Sequence, residues 1–379
     1  MNDKKVFFIN SNICMDQSDI STYESFMNSI AGNTGNSYIT YSLIKELYGK
    51  LVPIHHIKNI YTYDFEHPDN EIRYINEKAS HVFLILQDQI RIQESYNLKL
   101  PYQKIMKFIS RLNKPVVIAG LGANSFSGFD PDFHKKLDPE LVYFLKYLSD
   151  HTIKIGIRGE FTQEVLHNIG VDNTHVIGCP SFFERGPDRR MDSLLLTDIS
   201  QVLLTSRLPH IKLKLDTIMQ DNHDEDIILE KWHETQGSAT ESSSGKDISK
   251  YHIFSSIDDW KKYISRFRFA LGYRLHGAII SINSGVPALC MNGDTRAKEM
   301  CDFLGIPHDH TLDPEEEEDV FEIYQKADFG EINRRYPKLY QNFIEFIHEN
   351  NMRLFDEKAH KRLFSFQKEV QQPSIVQLS

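Results

Sequence analysis

Short runs of Val, Ile and Phe recur along the chain, separated by stretches in which apolar residues return every three or four positions. A continuous apolar run of four to six residues suits a strand buried on both faces, and the helical stretches supply the crossovers that parallel strands need. The alternation predicts an α/β fold. Strands are expected at residues 5–10, 81–86, 115–119, 153–157 and 175–178 in the first half, and at 202–205, 252–255, 267–271 and 287–291 in the second. Three helices carry their own stop signals. One follows Asn36, with Ile39, Leu43, Ile44 and Leu47 on one face and Gly49 at its end. Another follows Arg158, with Phe161, Val165, Leu166 and Ile169 before Gly170. The third begins near His276, carries Ile279, Ile280 and Ile282, and stops at Gly285 before Pro287.

The segment PSFFERGPDRRMD at 180–192 has two prolines, a glycine and three arginines without any period, and reads as the passage between two domains. It divides the chain into residues 1–185 and 186–345, with 346–379 left as a helical tail. Residues 234–247, ETQGSATESSSGKD, read as a mobile loop, and PEEEED at 314–319 as the solvated start of a helix. After Pro337 a long helical pattern with Leu339, Phe343, Ile344 and Ile347 leads into a basic-aromatic tail, RLFDEKAHKRLFSFQK at 353–368. That tail is expected to pack back on the first domain, with a membrane surface as the alternative.

Composition narrows the class. The 379 residues are 40% hydrophobic and 25% charged, enough apolar material for two ordinary domains. A net charge of −10 argues against a nucleic-acid partner and leaves room only for a local basic site. Cysteines at 14, 179, 290 and 301 form no CxxC pair, which fits a reducing cytoplasm better than a disulfide framework. The N-terminal apolar run breaks at Asn10, too short for a signal or spanning segment.

In open parallel sheets ligands gather outside the carboxyl ends of the strands, so polar residues there carry the chemical weight. Arg274 and His276, in GYRLHGAIISINSG at 272–285, fall at a strand-to-helix turn where backbone N–H groups and a guanidinium can hold an anion. The plain alternative is that His276 packs at the turn and Arg274 pairs with an acid. Arg158 ends another strand, and structural pairing is again the alternative. The loops GNTGN at 32–36 and GLGAN at 120–124 let backbone approach a phosphate or sugar hydroxyl, or are tight turns with no ligand; neither is GxGxxG, and no GxxxxGK[ST] exists. NGDTRAK at 292–298 places Asp294, Arg296 and Lys298 after a strand, either at a ligand or as a surface pair between Asp294 and Lys298. PHDH at 307–310 offers two histidines with no further ligand nominated, so no metal is assigned.

Taken in order, GNTGN, GLGAN, IRGEFTQEVLHNIGV at 157–171, GCPSFF at 178–183 and GYRLHGAIISINSGVPALCMNGDTRAKEMCDFLGIP at 272–307 resemble the polysaccharide pyruvyl transferase family. The resemblance implies two Rossmann-like domains facing a cleft, similar to B-type glycosyltransferases. It implies transfer of the pyruvyl unit of phosphoenolpyruvate to two hydroxyls of a saccharide, giving a ketal for a surface polysaccharide. The family's Arg-Leu-His matches Arg274, Leu275 and His276, with His276 as acid/base. Arg158, Gly277, Arg296 and Lys298 complete the expected donor side. Asn33, Asn36, Gly120, Gly122 and Asn124 fall to the acceptor side, where Asn36 stands in place of the family's frequent Asp. No cofactor is implied beyond phosphoenolpyruvate as donor substrate, and the acceptor is a saccharide, lipid-linked if the tail reaches a membrane. Phosphoenolpyruvate demands cations for both its carboxylate and its phosphate, and a histidine suits proton delivery to its methylene carbon. Two other readings stay open: a nucleotide-sugar glycosyltransferase of the same fold, with Arg274 and Lys298 on the diphosphate, and a non-catalytic sugar- or partner-binding protein.

Overall fold

The computed structural model describes residues 5–14, 20–30, 32–92, 99–125, 128–191, 194–206, 214–220, 225–237, 248–291, 294–309 and 316–355. Within them the apolar runs pair into two six-stranded sheets, parallel throughout. The first holds β1 (Val6–Ile9), β2 (His55–Ile57), β3 (His81–Leu84), β5 (Val116–Leu121), β7 (Ile155–Ile157) and β8 (Thr174–Val176), in the order β2-β1-β3-β5-β7-β8. A short parallel pair, β4 (Ile90–Arg91) and β6 (Ala123–Asn124), lies beyond its carboxyl edge. The second sheet holds β9 (Val202–Leu204), β10 (Asp216–Ile218), β11 (Tyr251–His252), β12 (Phe269–Gly272), β13 (Ala288–Met291) and β14 (His308–Asp309), in the order β11-β10-β9-β12-β13-β14. Both are doubly wound, so the two halves are Rossmann-like and each has a crevice where its strand order reverses.

Each of the nine expected strands is present, although the one at 252–255 shrinks to Tyr251–His252 and the one at 175–178 slides to Thr174–Val176. The strands β2, β4, β6, β10 and β14 went unpredicted. They are two or three residues long, too short for a pattern to register.

Helix α2 (Thr34–Tyr48) follows α1 (Tyr23–Ser29); it is capped by Asn33 and stopped by Gly49 in the left-handed region at φ 72°. The sequence predicts one apolar stripe, yet Tyr38, Thr40, Tyr41 and Ser42 are buried as well. The second half covers the face that would otherwise meet water: Tyr41 Oη donates to Asp258, and Asn283 Nδ2 donates to Tyr38 Oη at 2.7 Å. The largest apolar cluster is accordingly shared, running from Phe8 and Val117 through α2 to Leu203, Ile280 and Phe343. Helices α3 (Asp69–Lys78), α4 (Tyr102–Ile109), α5 (Pro139–Asp150) and α6 (Glu160–Asn168) build a second apolar cluster on the first sheet; in the second half α7 (Glu225–Thr235) packs on α1, α8 (Ile257–Ile264), α9 (Leu275–Asn283) and α10 (Thr295–Leu304) join the shared cluster, and α11 (Glu317–Lys326) packs on the second sheet.

The passage at 180–192 is no open linker. Pro180–Phe183 forms a buried 3-10 turn, and the Arg189 guanidinium, 5% exposed, lies 4.1 Å from the Phe182 ring and 3.7 Å from the Tyr336 ring. The last helix, α12 (Gly330–Glu349), starts seven residues before Pro337 and continues through it, contrary to a start after that proline. Tyr336, Leu339 and Tyr340 are buried on either side, so packing holds the turn that proline weakens. The helix crosses residue 345 unbroken and reaches the first sheet, where Gly156 makes room for Phe346 and Asn342 Nδ2 donates to Val176 O at 2.7 Å. Glu316 opens α11 with a capping box, and the glutamates after it are exposed. Most of the loop at 234–247, His310 and residues 356–379 lie outside the described residues.

Phe343 is fully buried and stacks on Phe183 with centroids 4.6 Å apart. Phe343→Ala is expected to cost about 3–5 kcal/mol in denaturant unfolding; a loss below about 1 kcal/mol would show that α12 does not tie the halves together.

Candidate functional site

The polar residues that converge between the halves all follow strands. From the first half come Asp88 beyond β3, the GLGAN segment over β5 and β6, and Arg158 beyond β7. Gly120, at φ 79°, shifts the register of β5 against β7 and turns its carbonyl to accept from Arg158 Nε at 2.8 Å. A Cβ at Gly122 would lie 2.6 Å from Arg158 Cδ. The glycines expected to admit a ligand therefore admit an arginine side chain of the protein itself. Arg158 is 2% exposed, and among the described residues its two terminal nitrogens make no hydrogen bond.

The second half enters through the start of α10. Asp294 caps that helix on Ala297 N at 3.0 Å and accepts from Asn124 Nδ2 at 2.9 Å. Thr295 Oγ1 exchanges hydrogen bonds with the backbone of Ser125, at 2.8 and 3.0 Å. Arg296 Nη1 donates to Asp88 at 2.7 Å, and Arg91 and Asn124 donate to the same carboxylate. Burial alone would raise the Asp88 pKa, but Arg296, Arg91 and Arg158 outweigh it and hold the carboxyl well below the usual range. Burial also opposes the Arg296 charge, and Asp88 and Asp294 outweigh it. Arg158 has no such compensation: burial depresses its pKa despite Asp88 and Cys179. Three guanidiniums thus gather around the ionised Asp88, with Asp294 bonded to Arg296 and Glu299 close to Arg158.

His276 lies in the first turn of α9, wedged against the first half. A Cβ on Gly35 would sit 2.4 Å from its Nδ1, and Nε2 is 3.5 Å from Cys179 Sγ. Although part of the side chain meets solvent, its surroundings, then Arg158 and Arg296, push the imidazole pKa down to about 3. His276 is neutral as it stands. No side chain caps α9, and among the described residues nothing accepts from the amides of Leu275, His276 and Gly277, the donors that a helix start leaves unmet.

Of the residues nominated from sequence, the structure brings together Arg158, His276, Arg296, Gly120, Gly122 and Asn124. It places others elsewhere. Leu275 is a core residue, 7% exposed, and Gly277 clears space for Thr205 and Gln220 at the ends of β9 and β10. Arg274 precedes α9, partly exposed, and is not among the charges that act on His276. Lys298 points away from Arg296 and pairs with Asp302 at 2.7 Å. The alternative pairing of Lys298 with Asp294 is absent too, because the Asp294 carboxylate serves Ala297, Asn124 and Arg296. The GNTGN amides are consumed internally: Asn33 Oδ1 accepts from Gly35 N at 2.8 Å, the Asn33 carbonyl accepts from Asn36 and Ser37, and Thr34 N donates to Gln220 O at 2.9 Å. Asn33 is thus a helix cap, and the Asn36 side chain makes no hydrogen bond among the described residues.

Sequence reasoning missed Asp88, Gly35, Cys179, Thr162 and Glu299. Asp88 stands just past an expected strand, where the strand-end rule would have found it; the others have no local signal. Among the described residues no group of three or more His, Cys, Asp or Glu side chains is placed to hold a metal ion, and no helix is long and apolar enough to cross a membrane.

A search of curated proteins returns no match. Among solved structures the chain is similar to the Anabaena Alr3699/HepE protein in complex with UDP and glucose, at 10% identity over 97% of this chain and 100% of that one, with a TM-score of 0.41. It is similar to a UDP-N-acetylglucosamine 2-epimerase from Rickettsia bellii at 14% identity, over 97% and 98% of the two chains, with a TM-score of 0.41. It is also similar to the UDP-GlcNAc 2-epimerase from Methanocaldococcus jannaschii at 12%, over 91% and 99%, with a TM-score of 0.43. The sequence model of polysaccharide pyruvyl transferases matches residues 33–295, from the cap of α2 to the first residue of α10, and the chain belongs to that family.

Proposed function

We propose that the protein transfers the pyruvyl group of phosphoenolpyruvate to a diol of a saccharide, forming a ketal in the assembly of a surface polysaccharide. The observation that carries this reading is the buried Arg158 guanidinium with two unused terminal nitrogens. A carboxylate or phosphate would take both in a bidentate pair, and Arg296 and the open start of α9 offer the second anionic group its partners.

The reaction needs two C–O bonds formed at C2 of the donor, the C2–O bond to phosphate broken, and one proton added at C3. The two acceptor hydroxyls release two protons: one balances C3, and the other leaves on the phosphate. His276 is the group for the transfer to carbon. Burial and two guanidiniums hold the imidazole pKa to about 3, which favours its neutral form. A bound donor brings negative charge against Arg158 and Arg296, offsets their effect and raises the proton affinity of the imidazole. The donor therefore moves the imidazole towards the form that carries a proton, against the burial that is the larger cause of its low pKa. The saccharide would lie on the Asn36 and Asn124 side, both of which have amide groups with capacity to spare.

The direct test is mass spectrometry of a diol sugar incubated with the protein and phosphoenolpyruvate, expecting the mass gain of one pyruvate ketal; binding of a nucleotide sugar with no response to phosphoenolpyruvate would overturn the proposal. Arg158→Ala should weaken phosphoenolpyruvate binding about 100-fold by calorimetry, and His276→Ala should lower kcat about 10²–10⁴-fold with the fold intact by circular dichroism. The pH profile of kcat, which reports the loaded site, is expected to show the His276 ionisation at higher pH than the profile of kcat/KM; coincident ionisations would rule out this effect of the donor. Gly35→Ala, whose methyl would overlap His276, is expected to lower kcat at least about tenfold; unchanged turnover would place the working imidazole elsewhere.

A further inference from the structure

Helix α6 begins immediately after Arg158 with a glycine at its cap, and Gly159 has no side chain to offer the free amides of the first turn. Another half of the molecule supplies it. Glu299, from α10, accepts from Thr162 N through Oε2 at 3.0 Å and from Thr162 Oγ1 through Oε1 at 2.6 Å, across 137 residues of sequence. Thr162 is the third residue of α6, the position whose amide a capping side chain normally takes. We propose that Glu299 is a positioning residue for Arg158: it caps α6 from the opposite domain, so the anion-binding guanidinium is held in register only while the two domains are closed on one another. The inference rests on the donor-site reading above and adds the group that builds that site.

Three further contacts support it. A Cβ on Gly159 would lie 2.7 Å from Glu299 Oε2, so the absence of a side chain at 159 is what lets the carboxylate in; φ there is −172°, extended backbone open to any residue. The Thr162 hydroxyl also accepts from Ala123 N at 2.8 Å. Ala123 stands between Gly122, which seats Arg158, and Asn124, which bonds Asp88 and Asp294. Glu299 therefore anchors both segments that flank the Arg158 side chain, and it does so from the helix that delivers Arg296. It is 4% exposed, a place where a carboxylate is kept only when its hydrogen bonds are met.

The charged groups that face Glu299 are Arg158 from the end of β7 and Asp294 from its own helix. Burial, opposed by the Thr162 hydrogen bonds and Arg158, raises its carboxyl to about 7. An acid with a raised native pKa favours the folded form below its ordinary value near 4.5, and that contribution fades as pH rises through about 7. Glutamine keeps the shape and removes the titration: its carbonyl can accept from Thr162 N, and its amide nitrogen then donates to the Thr162 hydroxyl.

The experiment compares wild type, Glu299→Ala, Glu299→Gln and Arg158→Ala across pH 5 to 8. Glu299→Ala is expected to raise KM for phosphoenolpyruvate about tenfold with kcat and the acceptor KM changed less than about twofold. Glu299→Gln should restore KM to within about threefold of wild type and flatten its pH dependence between pH 6 and 8. Equal losses in kcat and in both KM values, or no rescue by glutamine, would overturn the positioning role. Hydrogen exchange at the Thr162 and Ala123 amides reads the cap with no substrate present. Exchange accelerated at least tenfold in Glu299→Ala and near wild type in Glu299→Gln supports the cap even should phosphoenolpyruvate prove not to bind; unchanged exchange in both sinks it. Failure of wild type itself to bind phosphoenolpyruvate would instead count against the donor reading alone.

Discussion

A guanidinium taken out of water must be paid back by acceptors, and Arg158 is only partly compensated: one backbone carbonyl takes its Nε, and Asp88 acts on it at a distance while being spent on Arg296, Arg91 and Asn124. An uncompensated buried charge costs several kcal/mol. The fold tolerates this because the two halves share an apolar core reaching from β1 through α2 to α12. Stability is generated on that side of the molecule, and an electrostatic deficit is maintained on the other.

One group of polar contacts between the halves comes from the start of α10, beside others such as Tyr41 to Asp258, Asn283 to Tyr38 and Thr34 to Gln220. Asp294, Thr295, Arg296 and Glu299 each bond a different element of the first half: Asn124, Ser125, Asp88 and Thr162. These side chains are partly or wholly buried, and each bond can be exchanged for one to water if the halves part. The shared core cannot open so cheaply, since exposing it costs free energy in proportion to area. Helix α10 itself belongs to that core through Ala297, Met300, Cys301 and Leu304.

His276 shows how position sets chemistry. The same imidazole on a surface would titrate near 6.5; packed against Gly35 and flanked by two guanidiniums it is neutral at any ordinary pH. Its proton affinity then depends on what occupies the space before the guanidiniums, so the residue responds to the charge of a ligand and not only to that of the solvent.

The α/β class, nine of the strands, three helix stops and the strand ends at which polar groups collect were legible in the amino-acid order, because each depends on residues within a turn or two of one another. Arg158, Arg296 and His276 could be nominated on the same ground. The role of Gly122 as the seat of Arg158, of Gly35 as the socket of His276, and of Glu299 as the cap of α6 could not. Each is a contact between side chains or missing side chains far apart in the chain, with no periodicity to betray it. For the same reason Lys298 and Gly277, nominated by their neighbours in sequence, were turned to a surface pair and to helix packing. Local order determined which residues stand at the strand ends; the docking of one half on the other decided which of them meet, since burial, charge and hydrogen bonding are settled only when both surfaces are in place.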